Sequence, residues 1–313
     1  MRIEEISNLL QFNEEYENKV YMPNEIFTDL QKHIKNTPHI AFSYSYIYLS
    51  HWLYRYVKHV NVGVFDVGTI KQILGYAPTN QTLNYLIKKG GILDQIEYTE
   101  SVKDFPISWT YSDGEELEFQ MASEYRDFID HLPTVPKSFT LKYPVKGFTR
   151  VLEEDGEEYE TIGTFYEVDN THCILFDVFM DCLSNEKIGV NGFYLYSYLS
   201  HRCDIHMGGV DVSLVNLASE TGISETSLDK ILGALKSFNL VSFQHNQEFF
   251  AIGMLDNDRK ANTYMVNDFQ DFGNTPSPFK KIEIMKKADY FEMLKLKEEP
   301  VSKIDFKLDS LPY

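Results

Sequence analysis

Cysteine is scarce in this chain, and the few thiols are not spaced as a structural framework. Three occur among the 313 residues, Cys173, Cys182 and Cys203, and no two of them form a CxxC pair. Small secreted domains rely on several disulfides, and structural zinc sites draw on closely spaced cysteine or histidine ligands. We therefore expect reduced thiols, no disulfide scaffold and no metal site.

Long apolar runs and targeting signals are also missing. No segment approaches the roughly 18 to 20 apolar residues that are needed to span a bilayer. The N-terminal sequence MRIEEISNLLQFNEEYENKV carries acidic residues where a secretion signal has a basic start and an apolar block. We expect a cytoplasmic protein with no membrane partner.

The short motifs that bind nucleotides, metals or an activated serine are absent too. The sequence contains no GxxxxGK[ST] loop, no HExxH and no GxSxG. Those spacings serve phosphate binding, zinc-assisted hydrolysis and acyl transfer, respectively. We expect no catalytic residue, no metal and no cofactor, and we do not expect an enzyme.

Basic residues are outnumbered throughout most of the chain. Lysine and arginine total 29 against 47 aspartate and glutamate, which gives a net charge of −18. Six of the acids lie in LEEDGEEYE, residues 152–160, where Asp155-Gly156 predicts the turn of a solvated hairpin. Because nucleic-acid binding gains affinity from basic surface, this charge favours a basic protein partner unless lysines lie together locally.

An internal repeat organises the chain. Tyr-Leu-Ser-His occurs at residues 48–51 and again at 198–201, an offset of 150. In both copies an amphipathic helix pattern precedes the motif, and a helix–turn–helix pattern follows it. The shared order predicts a duplication that gives two related domains.

The aromatic run FSYSYIYLSHWLYRYVKH, residues 42–59, has two interpretations. Exposed aromatic rings stack on single-stranded bases. Four residues of the run recur at helical spacing, namely Leu49, Trp52, Leu53 and Tyr56. A second apolar stripe runs beside the first, so we predict a central helix that is buried on several sides.

The second copy contains two helices around a tight turn, in LASETGISETSLDKILGALKSFNLVSF, residues 217–243. Gly222 is placed to end the first helix in the left-handed conformation, and Ser224 is placed to cap the second. The apolar stripe of the second helix consists of Leu228, Ile231, Leu232, Leu235 and Phe238. A strand at NLVSF, a turn at 245–247 and a strand at 248–252 predict a β-hairpin.

Residues 188–252 therefore read helix, helix, turn, helix, hairpin, and they resemble the winged helix-turn-helix domains of bacterial DNA-binding proteins. The first copy keeps this order in TIKQILGYAPTNQTLNYLIKKGGILDQIEY, residues 69–98. Two such domains in tandem resemble the architecture of plasmid replication initiators and of regulators on phages and plasmids. The resemblance implies a protein that binds double-stranded DNA.

These patterns predict a mainly α-helical α+β protein with two winged-helix domains in tandem, each with a β-hairpin wing. The domains are expected at residues 15–120 and 160–262, with an acidic linker or hairpin region at 121–159 between them. A C-terminal tail helix is expected within residues 275–313.

In a winged helix bound to DNA, the second helix of the turn enters the major groove, so its solvent face contacts the duplex. In the first copy this face, the first recognition face, consists of Asn80, Gln81, Asn84, Tyr85, Lys88 and Lys89. In the second copy the solvent face also carries Glu225, Asp229 and Gly233, and the two acids weigh against DNA. The expected contacts on it, called the second recognition face, are Thr226, Ser227, Lys230 and Lys236. Asparagine and glutamine bond adenine bidentately, and lysine meets phosphate.

The expected function is sequence-specific binding of double-stranded DNA, as a transcriptional regulator or replication initiator of a phage or plasmid. The alternative is an acidic protein–protein interaction module built on winged-helix scaffolds, without DNA binding. Homodimerisation, and a protein partner bound through the acidic surface or the C-terminal tail, stay open. A positive island around the lysines of the two recognition faces would favour DNA over the alternative.

Overall fold

The computed structural model describes residues 1–111, 117–154, 156–165, 169–206, 209–255 and 258–298. Over these ranges the chain is an α+β protein with mainly helical secondary structure and small sheets, as the sequence predicts. No helix of the described ranges is both long and apolar enough to span a bilayer.

The regular elements alternate along the chain. The helices are Ile3–Leu10 (α1), Glu14–Glu17 (α2), Ile26–His33 (α3), Thr37–Arg55 (α4), Lys58–Val62 (α5), Val67–Ile73 (α6), Asn84–Ile87 (α7), Ile92–Gln95 (α8), Ala122–Tyr125 (α9), Val145–Phe148 (α10), Phe176–Ser184 (α11), Gly189–Ile205 (α12), Leu214–Thr221 (α13), Glu225–Ser237 (α14) and Lys287–Glu298 (α15). The strands are Lys19–Pro23 (β1), Glu100–Val102 (β2), Pro106–Tyr111 (β3), Leu117–Met121 (β4), Leu141–Tyr143 (β5), Thr149–Glu154 (β6), Glu157–Ile162 (β7), Thr171–Leu175 (β8), Val210–Val212 (β9), Val241–Gln244 (β10), Phe249–Ala251 (β11), Asn262–Val266 (β12) and Glu283–Met285 (β13).

The strands of the described ranges pair in small sheets. β1 pairs antiparallel with β8, which places Tyr21 opposite Cys173. β10, β12 and β9 form a three-stranded antiparallel sheet in that order. The pairs β2–β5, β3–β4 and β6–β7 are antiparallel, and β11–β13 is parallel.

Helices at offsets close to 150 positions precede and contain the two Tyr-Leu-Ser-His motifs. α3 and α11 begin 150 positions apart, at Ile26 and Phe176, and α4 and α12 end 150 positions apart, at Arg55 and Ile205. The equivalent elements also contact each other, because β1 pairs with β8 and α4 packs on α12. One hydrophobic core therefore includes residues of both copies, and the predicted domain boundaries stay predictions.

Helix α4 is the centre of this core. Every side chain from Ile40 to Tyr54 is buried, and the Trp52 ring stacks on Phe176 with ring centroids 4.1 Å apart. The polar end of the indole is satisfied, since Trp52 Nε1 donates to the Glu17 carbonyl at 2.8 Å. The prediction of a helix buried on several sides is confirmed for the aromatic run up to residue 54.

The helices around the turn of the second copy are where the sequence predicts them. Gly222 ends α13 with φ of +68°, and Ser224 is the N-cap residue of α14, although its side chain makes no capping hydrogen bond to the helix backbone. Ile223 fills the corner between the helices and is 1% exposed. The stripe beginning at Leu228 packs into the core, where Leu228, Leu232 and Leu235 are fully or almost fully buried.

The predicted hairpin after α14 is wrong in its second strand. β10 pairs with β12, at residues 262–266, and residues 249–251 pair instead with β13. Tyr264 of β12 is fully buried, whereas Phe249 and Phe250 are half-exposed. β10 therefore pairs with the strand that buries more apolar surface. Residues 245–247 are therefore the start of the long connection between β10 and β12. Asn246 of this segment donates a hydrogen bond of 2.9 Å to the Ala261 carbonyl, just before β12.

The helix predicted after Pro78 in the first copy is broken. α7 ends at Ile87, and α8 begins only at Ile92. Gly90 between them has φ of +68°, and a Cβ on Gly91 would lie 2.5 Å from the Leu86 carbonyl oxygen. The Gly-Gly pair permits a tight chain reversal that side chains would prevent, and it ends the helix after one turn.

The connecting region and the tail contain more structure than the sequence indicates. Residues 141–143 pair with β2 of the first copy. The strands β6 and β7 form the predicted acidic hairpin, in which Gly156 has φ of +84°. Asp155 lies outside the described residues. In the tail, β13 precedes α15, so the helix occupies part of the predicted segment, and residues 299–313 lie outside the described residues.

Candidate nucleic-acid interface

The N-terminal half of α14 presents most of the second recognition face to solvent. Thr226, Ser227 and Lys230 are exposed, while Leu228 between them faces the core. Ser224 donates a hydrogen bond from its hydroxyl to the hydroxyl of Ser227 at 3.0 Å. The three exposed side chains offer two hydroxyls and one ammonium group to a ligand.

Lys236, the fourth residue of the second recognition face, has a different environment. Its ammonium lies 4.0 Å from the centre of the Phe243 ring and 5.1 Å from that of Tyr264. Burial lowers the pKa of Lys236 to about 8, and the charge of Asp229 partly offsets that effect. Lys236 therefore packs on aromatic rings of the three-stranded sheet, apart from the exposed side chains of the helix's first turns.

The first recognition face is formed by a turn and the short helix α7. Gln81, Tyr85, Lys88 and Lys89 are exposed on it. Asn80 and Asn84 are half-buried, and both bind Lys71: its ammonium donates to the Asn80 carbonyl at 2.5 Å and to Asn84 Oδ1 at 2.7 Å. The side chain of Asn84 is thus engaged by Lys71, and that of Asn80 accepts a hydrogen bond of 2.7 Å from the Thr82 hydroxyl.

Both turns contact the first turn of α4. The Thr37 hydroxyl donates to the carbonyl of Gly222 in the second copy. On the other side a hydrogen bond of 2.8 Å joins Tyr85 Oη of the first recognition face to His39 Nδ1. Tyr76, in the turn of the first copy, donates to the Pro38 carbonyl at 3.5 Å. The turn of the second copy and the first recognition face therefore both contact the N-terminal turn of α4.

The surface around this junction carries positive charge. Residues 32–39, 77–89 and 224–230 contain five lysines and two acidic residues, Glu225 and Asp229, and all seven are exposed. Lys32 Nζ also lies 3.9 Å from Asp29 Oδ1 on α3. The five lysines, called here the lysine patch, are Lys32, Lys35, Lys88, Lys89 and Lys230. The patch is locally positive on a chain whose net charge is −18.

Two members of the lysine patch, Lys32 and Lys35, are not predicted from the sequence. They lie on and just after α3, outside both helix–turn–helix patterns. Their neighbour Gln31 donates a side-chain hydrogen bond to the Glu220 carbonyl at the end of α13, and this contact brings α3 to the second turn. No local signal could have found them, because their place depends on packing between the copies.

Acidic side chains are prominent on another element. All four residues 157–160 of β7 are exposed, and three of them are glutamates.

The described ranges contain no group of three or more His, Cys, Asp or Glu side chains that could hold a metal ion. Comparison of the chain with protein-family models, curated proteins and solved structures finds no match.

Proposed function

We propose that the protein binds double-stranded DNA at specific sequences and acts as a transcriptional regulator or replication initiator of a phage or plasmid. The lysine patch is the observation that carries this proposal. Lysines that neutralise neighbouring phosphates release condensed counterions and so drive binding. Five exposed lysines lie around the junction of two helix turns, on a chain that is otherwise strongly acidic.

The topology of the second copy supports a winged-helix domain as the DNA-contacting unit. α12, β9, α13 and α14 are followed by β10 and β12, and the three strands form one antiparallel sheet behind the two helices of the turn. In this arrangement α14 is the helix that enters the major groove. Thr226 and Ser227 then face base edges, and Lys230 meets a backbone phosphate.

The two copies have unequal roles in this proposal. α14 has 13 residues, and at 1.5 Å per residue it reaches roughly 20 Å along a groove. α7 has four residues, and the side chain of its first residue, Asn84, is engaged by Lys71. We therefore assign base recognition mainly to the second copy, while Lys88 and Lys89 of the first copy position the protein on the phosphate backbone.

The acidity of the remaining surface limits non-specific binding. If the five lysines of the patch each neutralise one phosphate, the logarithm of the binding constant falls with the logarithm of salt concentration with a slope of about −4.5. Like-charge repulsion from the rest of the chain weakens binding to random duplex. The expected signature is modest salt dependence together with discrimination between sequences.

The test is fluorescence anisotropy of the purified protein with labelled fragments that flank its own gene, at two salt concentrations and with random duplex as competitor. Saturable binding that survives the competitor supports the proposal. The double variant Lys88→Glu, Lys89→Glu is expected to lose this binding. Absence of binding to every fragment at low salt would contradict the proposal, and unchanged binding by the double variant would contradict the role of the first recognition face.

A matched control for charge reversal is Lys19→Glu. Lys19 is exposed, and its carbonyl accepts a hydrogen bond of 2.6 Å from Tyr56 Oη at the C-terminal end of α4. The lysine patch surrounds the opposite end of this 19-residue helix, roughly 28 Å away along the axis. The control is expected to bind DNA as the wild type does at the higher salt concentration, where screening is strong.

The acidic hairpin supports a second candidate function, recognition of a basic protein. Glu157, Glu158 and Glu160 are exposed on β7, and acidic surface of this kind steers positively charged partners. This candidate predicts that no duplex is bound at low salt. It also predicts that a basic protein partner loses affinity for a variant with glutamine at these three positions, whereas the proposed DNA complex tolerates the same change.

A further inference from the structure

Three lysines are buried in the described part of the chain, and one of them differs from the other two. Lys58, Lys71 and Lys142 are each at most 6% exposed. Lys58 Nζ lies 3.0 Å from a carboxylate oxygen of Glu17, and Lys142 Nζ lies 2.5 Å from one of Asp94. Among the ion pairs of the described residues there is none for Lys71. A buried ammonium without a counter-ion is costly to maintain.

The contacts of Lys71 leave part of its donor capacity unused. The ammonium donates to the Asn80 carbonyl and to Asn84 Oδ1, which are two uncharged acceptors for three N–H donors. Burial lowers the pKa of Lys71, and none of the ion pairs among the described residues offsets this effect. An anion supplied from outside would give the third donor an acceptor and the charge a counter-ion.

Lys71 also borders a space large enough for such an anion. A surface pocket of about 390 Å³ lies between α6 and the turn that leads to α7, within the size range of ligand pockets. Its lining includes Lys71, Lys88, Gln81 and Thr79, and it contains no acidic side chain. The pocket is therefore lined by two lysines and by polar side chains that can donate hydrogen bonds.

The nearest acid in sequence to this lining is already engaged. Asp66 Oδ1 accepts a hydrogen bond of 2.6 Å from the Thr69 amide, and this bond lowers the pKa of Asp66. The same oxygen lies 3.2 Å from the position that a Cβ on Gly68 would take. Asp66 thus fixes the start of α6 at the edge of the pocket and forms no ion pair with Lys71.

We propose that this pocket binds a phosphate group, held by the ammonium groups of Lys71 and Lys88. The pocket is part of the first recognition face, since Gln81, Asn84 and Lys88 line it. In the DNA complex the phosphate is a phosphodiester of the backbone, and this identification rests on the proposed function. A phosphorylated small molecule is the other source of the same chemistry.

The experiment uses the full chain in two arms. In the first, inorganic phosphate is titrated against the protein, with binding followed by the rise in melting temperature and by the phosphorus NMR signal. In the second, duplex binding is measured by fluorescence anisotropy over a series of salt concentrations. Each arm compares the wild type with Lys71→Met, Gln81→Glu and the control Lys19→Met, which removes one lysine at the far end of α4.

We expect inorganic phosphate to stabilise the wild type and Lys19→Met but not Lys71→Met. Duplex affinity is expected to fall about ten- to hundredfold in Lys71→Met, with the salt slope shallower by about 1. Gln81→Glu leaves Lys71 in place and adds a carboxylate to the lining, so it lowers phosphate affinity even if Lys71→Met does not fold.

The outcomes separate this proposal from the proposed function. If the wild type binds duplex, yet both pocket variants bind duplex and phosphate as the wild type does, the pocket proposal is overturned and the proposed function stands. If phosphate binds through Lys71 but no duplex binds, the pocket proposal is supported, its phosphate comes from a small molecule, and the proposed function fails.

Discussion

Lowering the pH is expected to destabilise the protein through His51, which is buried in the middle of α4. Its ring is 1% exposed, and Nδ1 lies 3.1 Å from the Ile47 carbonyl oxygen. The carbonyl can only accept, so Nδ1 carries the proton of the neutral ring. Nε2 has no hydrogen-bond partner among the described residues. Protonation would therefore place a charged, unpaired N–H group inside the core.

The size of this effect follows from the pKa of His51. Burial lowers it from 6.5 to about 4, the positive charge of Arg55 acts in the same direction, and the hydrogen bond to Ile47 opposes both. Above pH 6.5 neither the folded nor the unfolded state is protonated, and the contribution to stability is complete. As the pH falls from 6.5 towards 4, only the unfolded state binds the proton. The loss is about 2 kcal/mol at pH 5 and about 3 kcal/mol below pH 4.

Urea unfolding followed by tryptophan fluorescence measures the effect, at about pH 7.5 and about pH 5. His51→Gln keeps an amide that can donate to the Ile47 carbonyl but does not titrate. Because the other histidines titrate in both proteins, the wild type is expected to lose about 2 kcal/mol more than His51→Gln between the two pH values. His131→Gln, at an exposed position, is the control and follows the wild type. Equal losses in the wild type and His51→Gln would refute the reasoning.

Three further substitutions test by urea unfolding the packing of the first copy against the second copy and against β6. Gly222→Ala forces an alanine to φ of +68° and places its Cβ 3.1 Å from Ile40 Cδ1; we expect a loss of about 1–2 kcal/mol, and an unchanged midpoint would argue against this turn geometry. Phe27→Ala empties a site among several aromatic rings of both copies and is expected to cost about 3–5 kcal/mol, so a loss below about 1 kcal/mol would contradict the shared core. Glu25→Gln removes the carboxylate 3.1 Å from the buried Arg150 guanidinium; a loss of about 3 kcal/mol is expected, and no loss would mean that the pair is open to water.

Local signals in the sequence were sufficient for the helices of the second copy. The stripe from Leu228 to Leu235, the left-handed Gly222 and the position of Ser224 each depend on residues within one or two turns. The central helix was predictable for the same reason, since the apolar residues of its aromatic run lie on several faces. The repeat could be recognised because α4 and α12 retain the Tyr-Leu-Ser-His sequence at an offset of 150.

Two differences between prediction and structure depend on distant residues, and a third depends on a local signal that the helical spacing conceals. The partner of β10 is set by the burial of Tyr264, and nothing near residues 245–252 indicates it. The break after Ile87 results from the Gly-Gly pair, which the helical spacing of the preceding residues conceals. Strand β13 in the tail pairs with β11, more than 30 positions earlier in the chain.

The candidate interface was only partly predictable. The exposed positions of Thr226, Ser227 and Lys230 follow from the helical stripe opposite them. Lys236 is on the same helix, but its place over Phe243 depends on a sheet whose pairing the sequence does not specify. Lys35 joins the patch because Thr37, two residues later, contacts the turn of the other copy.

The central claim is that the surface around the lysine patch binds duplex DNA at specific sequences. The most direct test is selection from a pool of random duplexes at physiological salt, with sequencing of the bound fraction for the wild type and for Lys230→Glu. The account predicts one enriched sequence motif for the wild type, with strong loss of enrichment in the variant. A wild-type pool without an enriched motif, or an equal enrichment in both proteins, would contradict it.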